Sequence, residues 1–321
     1  MTAALVLLVF ALMLAALAIG ANRFWAGRDG GRRRTEPSAL PLLRWVELLR
    51  RLPDPLLAIR RRRWSRLRAL AIPDAWRTLL ARNVLLYAKL SAARRRELEG
   101  HLQVILAEKR FEGCDGLELT DEIRVTIAAH AALLLLGTDD PRYYPNVATI
   151  LVYPTAYVAT VEEHDGGIVR ESEESRLGES WHRGAVVIAW DAARADVRRP
   201  EAGDNVILHE FAHQLDTEDG TADGVPQLEQ LSDYAGWVRV LGPEYERLRA
   251  DPATSVIDEY GATNPAEFFA VATETFFTRP HELREQSAAL YATLRRYYGL
   301  DPATLVPEPE ADDRSGTGEE P

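Results

Sequence analysis

Between residues 91 and 105 apolar residues recur every three to four positions, and Ser91 stands where a helix cap would stand. That spacing predicts an amphipathic helix. Thr120 is a second candidate cap, and residues 121–136 after it read as a helix whose later half is almost wholly apolar. Such a helix is expected to be buried. The pattern then turns strand-like. Residues 148–153 are short and β-branched, 184–190 form a continuous apolar run, and 166–169 sit in an acidic, turn-rich stretch. Residues 205–215 return to helical spacing, followed by two further helices at about 265–278 and 280–298. Residues 41–113 are helical in pattern throughout, and no internal repeat is visible. Helices, a small mixed sheet, then more helices is an α+β order.

The N-terminus follows a different rule. Residues 2–22 carry no charge and are dominated by Leu, Val and Ala. About 20 such residues cross a hydrocarbon core of roughly 30 Å as a helix. Arg23, Arg28, Arg32, Arg33 and Arg34 follow at once. The positive-inside rule keeps that flank cytoplasmic, so the expectation is a single-pass membrane anchor over 1–22 with the body in the cytoplasm. A cleaved signal peptide is the competing reading, with Ala18-Ile19-Gly20 as its cleavage site, but no basic residues precede the apolar run. A basic linker over 23–40, a domain over 41–305 and a disordered acidic tail over 306–321 complete the expected organisation.

Charge sharpens this division. The 321 residues carry a net charge of −11, yet Arg23 to Arg68 contains fourteen Arg against four acids, leaving −21 for the rest. An acidic body argues against nucleic acid as its partner. Arg60-Arg61-Arg62-Arg63, Arg66 and Arg68 are interleaved with Trp64 and Leu67. Proximity to anionic headgroups explains them, and so does an ordinary solvated helix face. The single cysteine, Cys114, excludes an intrachain disulfide and a Cys-based zinc site, and is read as inert.

The chemistry concentrates in His209-Glu210-Phe211-Ala212-His213. An i, i+4 spacing puts two imidazoles on one helical face, one turn apart, where they can grip one Zn²⁺. The adjacent glutamate can then act as a general base toward water. A catalytic zinc needs a third ligand. Asp219 has the metzincin spacing, but Asp216 stands where those chains need a turning glycine. Asp216 is read as a carboxylate orienting His213. Glu267 follows Asn264 and Pro265 at the third position of a helix, where spacing alone favours a capping box over a ligand. Glu274, two turns on, is either an acceptor behind a ligand or a solvated charge. His101, His164, His182 and His281 sit in polar or helix-surface contexts, and His130 reads as a core histidine. The 184–190 run is either an edge strand along which an extended peptide pairs or a plain core strand.

Several segments together resemble one family. They are His209 to Asp216, Asp223-Gly224-Val225-Pro226, and Tyr260-Gly261-Ala262-Thr263-Asn264-Pro265-Ala266-Glu267-Phe268-Phe269, with Glu274 and Phe276-Phe277. Ile150-Leu151-Val152-Tyr153-Pro154 and Ser180-Trp181 extend the match. These are similar to the Mlc titration factor A family of zinc-dependent peptidases, over about 75–300. The resemblance implies a gluzincin-like domain with a core similar to the anthrax lethal factor protease domain. It implies one Zn²⁺ on His209, His213 and Glu267, Glu210 as catalytic base, and Tyr260 facing the metal. It also implies peptide or protein substrates, with aminopeptidase-type activity, and a possible second role in sequestering a transcriptional repressor. The founders of the family are soluble cytosolic proteins, whereas this chain carries the expected anchor.

Overall fold

The computed structural model describes residues 55–138, 141–155, 161–165, 168–172, 184–228 and 230–306. The expected anchor (1–22), linker (23–40) and the acidic tail beyond residue 306 lie outside the described residues. Among the described residues no helix is long and apolar enough to cross a membrane.

The chain enters as α1 (Pro55–Arg68), α2 (Asp74–Asn83) and α3 (Ala92–Glu108). Ser91 caps α3, its side chain accepting from the Arg94 amide at 3.3 Å. Such a cap satisfies one of the amides that a helix start leaves open, and is worth about 1 kcal/mol. The strand β1 (Arg110–Gly113) follows, then α4 (Asp121–Leu133), capped by Thr120 onto the Ile123 amide. As expected, α4 is buried along nearly its whole length. It stops at Leu133, three residues before the expected end.

Three strands form one sheet in the order β1–β2–β5, with β2 at Thr149–Tyr153 and β5 at Ala185–Ala189. Both pairings are parallel: Phe111 faces Ile150, which faces Val186. The expected mixed sheet is therefore a parallel one. Parallel neighbours need crossover connections, and α4 supplies the first. A separate antiparallel pair, β3 (Val161–Asp165) and β4 (Ile168–Ser172), pairs Asp165 with Ile168. The expected strand at 166–169 thus begins at Ile168, and residues 166–167 lie outside the described residues. His164 and His182 also lack described side chains. Trp190 does not end the apolar strand; it opens α5 (Trp190–Arg198).

The second half is helical: α6 (Val206–Asp216), α7 (Leu231–Ala250), α8 (Pro265–Thr278), α9 (Pro280–Gln286) and α10 (Ala288–Tyr298). The helix expected over 280–298 is two helices. Ser287 separates them and caps the second, accepting from the Leu290 amide. The core between these layers is built from Phe211, Trp237, Phe269, Phe276, Phe277 and Tyr298, all nearly inaccessible.

Buried polar side chains fix the approach to β2. Lys109 donates to the carbonyls of Tyr144 and Val147, each at 2.7 Å, and burial pushes its ammonium down to about 8. Tyr143 and Tyr144 both take left-handed backbone, with φ of 54° and 55°. Their hydroxyls are tied down: Tyr144 donates to the Ala131 carbonyl, and Tyr143 meets His101 Nδ1 at 2.8 Å. His101 is thus a buried member of the core, not the surface residue its polar neighbours suggested. Its helix packs on α4 as well as facing Tyr143.

His130 is a core histidine, as its apolar helix implied. It bonds the Thr126 carbonyl at 2.9 Å, and burial pushes it down to about 4 from 6.5. A depressed folded-state value means that the unfolded chain binds the proton first. The associated stability is therefore full above pH 6.5 and is lost as pH falls to 4, by about 3 kcal/mol. Urea melts at pH 7 and pH 4.5 should differ by less in His130→Gln than in the wild type. Equal pH dependence would remove His130 as a source of acid lability.

Candidate metal centre

Helix α6 is held by apolar burial on one side and presents its imidazoles on the other. Asn205 caps it, accepting from the Leu208 amide at 3.0 Å. Ile207, Leu208, Phe211 and Ala212 are fully buried, and the helix packs against β5, α4 and α8. His209 and His213 then fall on one face, with ring centroids 4.6 Å apart.

Helix α8 brings the carboxylates. Asn264 caps it by accepting from the Glu267 amide at 3.0 Å, and Pro265 occupies its first turn. This cap positions Glu267 while leaving its carboxylate free. That carboxylate turns to the histidines: Glu267 Oε2 lies 3.0 Å from His209 Nε2 and 3.2 Å from His213 Nε2. The two Nε2 atoms are 3.0 Å apart. The capping-box alternative for Glu267 is thus not what forms. Among the described residues this triad is the cluster whose ligand atoms converge closely enough to hold a metal ion.

The donor set fits a tetrahedral cation. Ligand atoms bonded to zinc at 2.0–2.1 Å lie about 3.3 Å apart in a tetrahedron. The observed edges of 3.0–3.2 Å match that spacing closely. The tautomer agrees as well. Glu274 Oε1 lies 2.7 Å from His209 Nδ1, so Nδ1 is the nitrogen that donates outward and Nε2 is the one that faces the centre. Glu274 Oε2 also accepts from the Asn205 amide at 2.5 Å, which ties α8 to the start of α6. Glu274 is therefore a buried acceptor behind a histidine, not a solvated charge.

The electrostatics favour positive charge here. Burial depresses His209, but Glu267 and Glu274 outweigh it and raise the ring to about 10. His213 is pushed down to about 4, chiefly by burial. Burial opposes ionisation of Glu267, yet its bonds to both histidines hold it at about 2. Burial raises Glu274. Glu210 is 1% exposed, and burial with the nearby Glu267 and Glu274 pushes it up to about 8. Among the described residues its Oε1 has no hydrogen-bond partner.

Tyr260 stands over the cluster. It is 48% exposed, which rules out a packed core tyrosine, and its ring centroid lies 6.0 Å from that of His209. Burial of its inner part, with Glu267 and Glu210 nearby, raises its hydroxyl, so the group keeps its proton. Its amide is held by Asp258, which caps the short turn Glu259–Ala262. A cavity of about 300 Å³ opens beside Tyr260 and Glu274, lined also by Asp204, Asp258, Val271 and Arg279. A larger cavity of about 660 Å³ lies at the far end of α6, by Leu215 and Trp237, and touches none of the three converging residues.

Two other acids take structural places. Asp216 does not orient His213; its Oδ2 accepts from the Gly224 amide at 3.1 Å and turns the chain after α6. Asp219 accepts from Thr221 Oγ1 at 2.7 Å and is not among the converging residues. Cys114 is half-buried beyond β1, its amide donating to the Val152 carbonyl.

The sequence profile of the glucose-regulated metallo-peptidase M90 family matches residues 57–299. The chain belongs to that family. Its relatives include an uncharacterized protein of Synechocystis sp., 44% identical over 236 residues, covering 72% of this chain and 86% of the relative. Mlc titration factor A of Klebsiella pneumoniae is 32% identical over 244 residues, covering 73% and 88%. Mlc titration factor A of an Enterobacter species is 33% identical over 251 residues, covering 74% and 91%. An M90 metallopeptidase domain of α+β build is thus what the described residues form, and the His209, His213, Glu267 cluster is compatible with its metal.

Within this M90 domain Glu274 has a testable role. A carboxylate on the outer nitrogen of a ligand histidine fixes the ring and raises its basicity, and losing it lowers metal affinity about 10–100-fold. Competition with a zinc-sensitive dye should show that loss in Glu274→Ala and a smaller one in Glu274→Gln. A folded Glu274→Ala variant with wild-type affinity would discard the role.

Proposed function

We propose that the chain is a zinc-dependent metallopeptidase that hydrolyses peptide bonds. The observation that carries this reading is the convergence of His209 Nε2, His213 Nε2 and Glu267 Oε2 within 3.0–3.2 Å beside the buried Glu210 carboxylate. In this reading His209, His213 and Glu267 hold one Zn²⁺. When bound, zinc supplies Lewis acidity, polarising a carbonyl and acidifying a water. Glu210 takes the proton of the attacking water and later delivers it to the leaving amine. Tyr260, kept protonated, donates a hydrogen bond to the oxyanion that develops on the carbonyl. Glu274 holds the His209 ring in register.

An extended peptide has a place to lie. Among the described residues β5 pairs only with β2, and α6 packs against it. Its other edge offers backbone groups to a substrate strand. The aminopeptidase-type cut belongs to this proposal on the family resemblance alone.

We place the catalytic domain on the cytoplasmic face of a membrane, held by residues 1–22. What supports this is the uncharged run 2–22 followed by its arginine flank. A C-terminal reporter that reads as exported would refute that orientation.

The name Mlc titration factor A, carried by relatives 32–33% identical, favours a second reading. Here the same domain captures a transcriptional repressor. Capture would survive Glu210→Gln, whereas hydrolysis would not. Pull-downs with the Glu210→Gln protein separate the two.

A further inference from the structure

The cavity of about 660 Å³ at the far end of α6 is a built site. Asn146 donates to the Thr217 carbonyl at 3.0 Å, and Arg142 Nη1 donates to Gln227 Oε1 at 2.8 Å. These bonds brace the segment before β2 against the chain that follows α6. The apolar lining comes from Leu135, Leu215, Trp237 and Tyr297. The first three are buried, and Tyr297 stands edge-on to Trp237 with ring centroids 5.3 Å apart. A braced, largely apolar space of about 300–1,000 Å³ with a few polar groups is what small-molecule sites offer.

Glu218 and Arg142 supply the charge in that lining. The Glu218 side chain is only 9% exposed, yet among the described residues no hydrogen bond reaches its carboxylate. Arg142 Nη1 stands 3.9 Å away, beyond hydrogen-bond range. Burial raises the Glu218 carboxyl, and the Arg142 and Lys109 charges only partly oppose it. A ligand entering here must therefore bring a donor for that carboxylate. A lone cation would also meet Arg142, and a lone anion would meet Glu218. A zwitterion meets an opposite charge on both sides. An α-amino acid carries its ammonium and carboxylate on one carbon, which suits two opposite charges standing 3.9 Å apart.

We propose that this cavity binds a free amino acid with a large apolar side chain, its ammonium on Glu218, its carboxylate on Arg142, and its side chain against Leu215, Trp237 and Tyr297. The apolar lining selects the side chain, as the charged pair selects the head group. The inference depends neither on the peptidase reading nor on residues 1–22. The place of the site gives it reach. Trp237 donates to the Gly224 carbonyl at 3.1 Å, and Gly224 lies against Pro265 at the start of α8. The bound amino acid would thus lie one contact from the turn that joins the two helices of the metal centre.

The test titrates L-phenylalanine into the full chain by calorimetry. Phenethylamine, which lacks the carboxylate, and 3-phenylpropanoate, which lacks the ammonium, serve as comparison probes. L-phenylalanine should bind one site per chain, and each truncated probe about tenfold more weakly, as the loss of one charged hydrogen bond requires. Glu218→Gln should weaken L-phenylalanine by a similar factor without changing the melt followed by circular dichroism. Arg142→Gln should erase its advantage over phenethylamine. Glu267→Ala, altered only at the metal centre, should bind it as the wild type does. No binding to the folded wild type, equal binding of all three probes, or wild-type affinity in both folded cavity variants overturns the proposal. So does binding that Glu267→Ala loses, which would put the amino acid at the metal centre instead.

Discussion

Glu210→Gln is expected to abolish the proposed peptide hydrolysis while leaving metal binding intact. The carboxylate sits in the wall of the cluster, one residue from His209, yet it is not one of the converging ligands. Glutamine keeps the volume and the polarity of a side chain that is 1% exposed, so the fold has little reason to change. What it removes is proton affinity. Burial and the neighbouring carboxylates push the Glu210 carboxyl up, and a cation held by the three converging residues would favour its ionised, proton-accepting form. General-base catalysis is worth about 10²–10⁴ in rate, so kcat/KM should fall by that factor. The comparison is of initial rates on an amide-linked chromogenic panel, with metal content measured on the same samples. A Glu210→Gln enzyme at wild-type rate would sink the mechanism. Loss of metal in parallel with activity would instead make Glu210 part of the binding set.

Gly224→Ala is expected to damage stability and the metal centre together. Gly224 has φ of +78°, and an added Cβ would stand 2.3 Å from the Pro265 carbonyl oxygen. Both obstacles are backbone, so no side chain can swing aside. Pro265 opens the helix that carries Glu267, and the same glycine binds Asp216 at the end of α6 and accepts from the Trp237 indole at 3.1 Å. Gly224 thus joins the two helices that build the cluster. Alanine in left-handed backbone costs roughly 1–2 kcal/mol and overpacking a further 1–3, giving a loss of about 3 kcal/mol. Displacing the start of α8 should also weaken metal binding. Gly220→Ala is the control: its φ is +96°, but nothing lies within 4 Å of the added Cβ. It should show the smaller backbone cost and unchanged metal affinity. If denaturant melts and metal titrations find the two variants alike, Gly224 is an ordinary turn residue.

What was legible in the sequence is what local chemistry encodes. Ser91, Thr120 and Asn264 cap helices where their side chains placed them, because a cap needs only the next three residues. The two histidines share a face because helical geometry requires it. Glu267 was legible as a candidate but not as a ligand. Its position after Asn264 fits a capping box better than a ligand, and only the packing of α8 on α6 decides between them. Glu274 shows the same limit: nothing in its neighbours says that it ends 2.7 Å from a ring 65 residues earlier.

The misses have physical causes. Helix α7 carries Gly236, Gly242 and Pro243, which break its pattern, yet buried Trp237, Leu241 and Leu248 hold it in place. β1 is four residues with two charges, a strand because β2 lies beside it. His101 looked solvated among charged neighbours, but Tyr143, 42 residues on, closes over it. Asp216 stands three residues after His213, close enough to suggest a partnership that the turn to Gly224 takes instead.

The claim that His209, His213 and Glu267 form one zinc site is tested most directly by metal stoichiometry. Wild type and Glu267→Ala, equilibrated with zinc and then desalted, would be analysed by mass spectrometry for metal per chain, with circular dichroism to confirm folding. The account predicts one equivalent in the wild type and little in the folded variant. A wild type that holds no metal, or a Glu267→Ala protein that keeps a full equivalent, would contradict it.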